Sequence, residues 1–124
     1  MSNINDKKIK LVELEPSVLL ELAKLRHLRS NDSESLSLAT EALEIANRCS
    51  YVLQQADIHL FLGEYYRDTG DLVQAKKHAE LAKLRSYQMI DVETGDYVTK
   101  DEGTKWKYKP CYDKAVKLLK ELER

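Results

Sequence analysis

The stretch ADIHLFLGEYYRDTGDLVQAKKHAELA, Ala56 to Ala82, decides the fold. Its first half sets Ala56, His59, Leu62, Gly63 and Tyr66 on one side of a helix, with Ile58, Phe61 and Tyr65 next to them. Its second half carries Leu72, Ala75, Ala79 and Ala82 on one ridge. Between the halves, Gly70 suits the left-handed position that ends a helix and Asp71 suits the cap that opens the next. Gly63 stands inside the first helix, where glycine costs about 1 kcal/mol against alanine, so a packing reason is expected. Small residues at Gly63 and Ala75 let two antiparallel helices come close, while Leu62 and Tyr66 fill the space beside them.

Working outward, Pro16 fits the first turn of a helix. Val18, Leu19, Leu20, Leu22, Ala23, Leu25 and Leu28 form a broad apolar face behind it, up to the turn and cap residues Ser30 to Ser33. A second helix is expected from about Ser33 to Cys49, with stripes Leu36, Ala39, Leu43, Ala46 and Leu38, Ala42, Ile45. So wide an apolar arc suggests packing on two sides. Two further helices are expected, from about Val52 to Asp68 and from Asp71 to about Tyr87. Met89 to Thr99 has Ile90, Val92, Tyr97 and Val98 around Thr94-Gly95-Asp96, the composition of a hairpin or extended loop. After a polar stretch to Lys109, Pro110 opens a closing helix with Cys111, Ala115, Leu118, Leu119 and Leu122 on one face. Asp6 to Glu15 is compatible with a short helix or a short strand.

The chain of 124 residues reads as one domain, 1–124: a degenerate helix pair at 16–50, the best pair at 51–88, an insertion at 89–109 and a closing helix at 110–124. Only four Gly and two Pro, with many Leu, Ala, Glu and Lys, favour an all-α fold. A net charge of -1 gives no strong field for nucleic acid or an anionic membrane. Cys49 and Cys111 form no CxxC pair and read as small packing residues in a reducing compartment. The polar N-terminus lacks the apolar core of a secretory signal, and no run reaches a membrane span, so the cytoplasm is the expected location.

Counting Ala56 as the first position of a 34-residue unit, Leu62 and Gly63 fall at 7 and 8, Tyr66 at 11 and Ala75, Ala79 and Ala82 at 20, 24 and 27. This resembles the tetratricopeptide repeat, with His59 where the family usually has Trp. Ala39, Leu43 and Ala46 match 20, 24 and 27 of a preceding, degenerate unit. Leu38 to Ala82, together with Tyr108-Lys109-Pro110, is similar to the C-terminal end of repeat arrays in bacterial signalling and defence proteins. The resemblance implies a short stack of antiparallel helix pairs, a non-catalytic adaptor or scaffold role, and a peptide groove lined by Asp57, Leu60, Phe61, Glu64, Arg67 and Asp68. The Lys and Asn set with which such proteins clamp a C-terminal carboxylate is not seen at these positions.

No P-loop, HExxH, GxSxG or GxGxxG occurs, and no cofactor, metal or catalytic set is expected. His59 reads as a packed residue, and Asp57 beside it lacks the i, i+4 spacing of a metal pair. His27 and His78 read as isolated. Trp106 and Tyr108 among Lys105, Lys107 and Lys109 offer a second reading, stacking and phosphate contact with single-stranded nucleic acid, against which stands the lack of basic character elsewhere. A hydrolase or transferase with an unrecognised site is a third. Helix-pair stacks normally want about three units; with barely two, self-association or end-on docking through an incompletely capped helix face is expected.

Overall fold

The computed structural model describes residues 15–87, 89–90, 97–98 and 109–123. Asp6 to Leu14, and the basic-aromatic stretch apart from Lys109, lie outside the described residues. The chain forms helices α1 (Pro16–Leu28), α2 (Asp32–Arg48), α3 (Val52–Thr69), α4 (Leu72–Tyr87) and α5 (Lys109–Leu122). Between α4 and α5, the two-residue strands β1 (Met89–Ile90) and β2 (Tyr97–Val98) pair antiparallel, Met89 opposite Val98. The fold is all-α, a stack of closely packed neighbouring helices with a small hairpin before the closing helix.

The three turns that join α1 to α4 share one geometry. A residue with positive φ ends each helix: Ser30 at 63°, Ser50 at 57° and Gly70 at 95°. The next residue's N–H then reaches back to a carbonyl in the last turn, Asn31 to Arg26 at 2.8 Å, Tyr51 to Ala46 at 2.9 Å and Asp71 to Tyr66 at 2.9 Å. This closure satisfies carbonyls that the helix end would leave open and reverses the chain within a few residues. Openings differ more. Pro16 starts α1 without a side-chain cap, Asn31 accepts from the Glu34 N–H at 3.4 Å, and Asp71 accepts from the Gln74 N–H at 3.1 Å, as its sequence position predicts.

Two apolar clusters make the core, and α3 belongs to both. Leu19, Leu20, Ala23, Ala39, Ala42, Ile45 and Ala46 of α1 and α2 meet Ile58, Phe61, Leu62 and Tyr65 of α3. On its other side Ala56 and Leu60 meet Ala79 and Ala82 of α4 and Cys111, Ala115 and Leu118 of α5. The helix packed on several sides is therefore α3 more than α2, whose Leu36, Leu38 and Leu43 stay partly buried. Ala75, Ala79 and Ala82 are fully buried, and Tyr66 is half-buried against the first cluster.

Gly63 has the packing reason its sequence position demands. A Cβ built there would lie 3.3 Å from the carbonyl oxygen of Ala75, 3.3 Å from the backbone nitrogen of Ala79 and 2.9 Å from a methyl of Leu118. The glycine thus lets the backbones of α3 and α4 touch and gives α5 its seat. The first pair has a counterpart. Ser35, fully buried, donates from its Oγ to the carbonyl of the fully buried Ala23 at 2.7 Å. Ala23 and Ser35 stand twelve residues apart, as do Gly63 and Ala75. On that criterion the upstream unit places Ala39 and Ala42 where the downstream one has Ala79 and Ala82, one helical turn earlier than the alignment on Ala39, Leu43 and Ala46. Cys49 also differs from expectation, because it caps α2 in solvent while Cys111 is buried.

Gly63→Leu should lower unfolding stability by about 3 kcal/mol, since the added side chain meets backbone that cannot step aside. Urea denaturation of the variant checks this; a loss under about 1 kcal/mol would show that the two backbones are not in contact.

Candidate protein-binding groove

One strip of α3 lines a cleft between α1 and α5. Residues Asp57, Leu60, Phe61 and Glu64 fall on one stripe because i, i+3, i+4 and i+7 positions share a helix face. They line a cleft of about 280 Å³ with Pro16, Leu20, Glu21 and Lys24 of α1 and Lys114 of α5. Leu60 and Phe61 are largely buried, 8% and 4% exposed, so they form its floor and not a projecting patch. Glu64 and Lys114 also line a second, adjoining cleft of about 240 Å³, together with Arg67, Lys117, Leu118 and Glu121. Five of the six groove positions named from sequence therefore border these two clefts.

Asp68 lines neither cleft and has a structural task. Its carboxylate takes a hydrogen bond from His27 Nε2 at 3.0 Å and from Arg67 Nε at 3.0 Å. His27 Nδ1 lies 2.9 Å from Asp32, so one imidazole joins the C-terminal ends of α1 and α3 to the start of α2. The ring also packs edge-on against Phe61 at 6.0 Å. The hydrogen bond to Asp68, opposed by burial and helped by Asp32, holds the His27 pKa above its ordinary value. Burial alone would raise the Asp68 carboxyl, but the His27 and Arg67 hydrogen bonds prevail and hold it below. His27 is thus not isolated; its principal partner is 41 residues away, beyond any local sequence pattern.

His78 is not isolated either. The His59 and His78 rings lie near one plane, 23° apart, with their Nδ1 atoms 3.0 Å apart, so one ring donates edge-on and the other accepts. Tyr66 stacks on His78 with ring centroids 5.6 Å apart. Burial, then the neighbouring His78, Arg85 and Lys77, lowers the His59 pKa to about 4. Burial also lowers that of His78. Both shifts favour the neutral rings, and the pair joins α3 to α4 without lining either cleft. Among the described residues no group of three or more His, Cys, Asp or Glu side chains is placed to hold a metal ion. Burial, ahead of Asp57, pushes the Cys111 thiol up to about 12, which leaves it a thiol and a poor nucleophile.

Glu64 is the polar group of the groove that sequence position alone undersells. It is half-buried, and burial raises its pKa in spite of Arg67, Lys24 and Lys114 around it. Set beside family models, curated proteins and solved structures, the chain matches none of them.

The histidine pair fixes the sign of an acid response. A lowered folded-state pKa gives stability that is present above the unfolded value near 6.5 and is lost as pH falls toward the folded value of about 4. At about 1.36 kcal/mol per pKa unit, the His59 contribution is on the order of 3 kcal/mol. His27 acts oppositely: its contribution is present below 6.5 and fades as pH rises through its raised pKa. A His59→Phe/His78→Phe double variant should therefore lose less stability than the parent between pH 6.5 and 4, read by urea midpoints. Parallel curves would contradict the lowered pKa of His59.

Proposed function

We propose that this chain is a non-catalytic protein-recognition module of the tetratricopeptide type, an adaptor or scaffold. The observation that carries the reading is the groove of α3: Asp57, Leu60, Phe61 and Glu64 floor a cleft walled by α1 and α5. An apolar floor with charged walls suits a segment of another protein laid against the helices. The close helix pairs at Gly63/Ala75 and Ala23/Ser35 support the repeat reading. A non-catalytic role is supported by where the titratable groups go: His27 is engaged by two carboxylates, and His59 and His78 engage each other. Of the stretch that carries the nucleic-acid reading, Lys109 alone lies among the described residues, and it pairs with Asp113 at 3.1 Å.

A photo-crosslinking residue in place of Lys24 or Lys114, both exposed at the groove, should attach the same partner protein in the native cell. The same residue at Lys76 or Glu80, exposed on α4, should not. Equal labelling at all four positions would overturn the groove as the binding face.

The outer side of α1 also bears Val18 at 44%, Leu25 at 45% and Leu28 at 80% exposure. A second copy covering this face is part of the proposed role, because helix-pair stacks bury their ends on neighbours. Sedimentation velocity should then show a concentration-dependent dimer that Leu25→Lys abolishes; a monomer at every concentration would refute it.

A further inference from the structure

If the groove receives a segment of another protein, its lining dictates the chemistry of that segment, an inference that rests on the recognition reading. Gln54, Asp57, Phe61 and Glu64 lie at i, i+3, i+7 and i+10 of α3 and line the same cleft. At 1.5 Å per residue this stripe runs about 15 Å along the groove, the span of roughly four or five extended residues.

The charged groups around it differ in what they already hold. Lys24 pairs with Glu21 at 3.3 Å. Arg67 reaches Asp68 at 3.0 Å and Glu121 at 3.1 Å. Glu64, half-buried where the two clefts meet, has no hydrogen bond or ion pair among the described residues. The Oε1 atom of Gln54 is shielded from solvent and accepts no hydrogen bond among them. The floor therefore presents one accessible carboxylate, Glu64, that Arg67, Lys24 and Lys114 influence through space but do not hydrogen-bond. The lysines of the rim are different in kind: Lys114 and Lys117 are exposed and stay hydrated, where ion pairs contribute little.

An occupant that covers Glu64 strips a carboxylate of water, which is costly unless a charge-assisted donor replaces it. An acidic or wholly apolar chain supplies none. We propose that the groove takes a short segment of another protein that lays an apolar side chain on Leu60 and Phe61 and an arginine or lysine on Glu64.

A random-peptide phage library panned on the full chain tests this. Selected peptides should carry Arg or Lys beside an aliphatic or aromatic residue. Their affinity should fall about tenfold for Glu64→Gln, in which the neutral amide removes the charge-assisted bond. Glu80→Gln on exposed α4 should leave it unchanged, with both variants showing parental circular dichroism. Groove-bound peptides, displaced by a bulky label at position 114, that lack basic residues and bind Glu64→Gln as well as the parent would overturn this inference and leave the recognition reading standing. Failure to select any peptide that such a label displaces would overturn both.

Discussion

Backbone contact at Gly63 is the constraint on which the structure depends. A single position without a side chain lets α3 and α4 touch through the Ala75 carbonyl and the Ala79 nitrogen, and the same opening receives Leu118 of α5. Glycine inside a helix is unfavourable by itself, by about 1 kcal/mol. The dispersion and burial gained where three helices converge outweigh that cost. The turn after α3 makes the contact possible: Gly70 in the left-handed region reverses the chain at once, so that Ala75 arrives opposite Gly63.

That contact gives α3 its double role. Its Ile58, Leu62 and Tyr65 are held by α1 and α2, and its Ala56 and Leu60 by α4 and α5. The cleft lies where the two clusters meet, with Phe61 of the first and Leu60 of the second beneath it and Asp57 and Glu64 beside them. Residues of the cleft sit on a helix fixed from both sides, which on the proposed recognition reading keeps the ordering entropy of binding small. The His27 bridge works in the same direction, joining α1 to α3 at the end of the groove.

Local chemistry made much of this legible in the sequence. The Gly70-Asp71 turn, the proline at the start of α1 and the alanine ridge of α4 were readable because each acts within one helical turn. The five candidate positions that border a cleft came from the resemblance, whose repeat register assigns them to the ligand-facing side of the first helix. What escaped depends on distant partners. His27 finds Asp68 across 41 residues, and His59 finds His78 across 19. The upstream register was set by Ala23 and Ser35, and a serine bonded to a backbone carbonyl does not look like a packing residue until its partner is known. Cys49 shows the same limit, since its place at the end of α2 leaves it in solvent whatever its side chain prefers.

The most direct test is proximity at the seam itself. In a nuclear Overhauser spectrum of the full chain, the α-protons of Gly63 should show strong cross-peaks to the amide proton of Ala79 and to methyl protons of Leu118. Absence of both, with α3 and α4 otherwise helical, would mean that the two backbones do not meet. The floor of the groove would then lose the support that holds it in place.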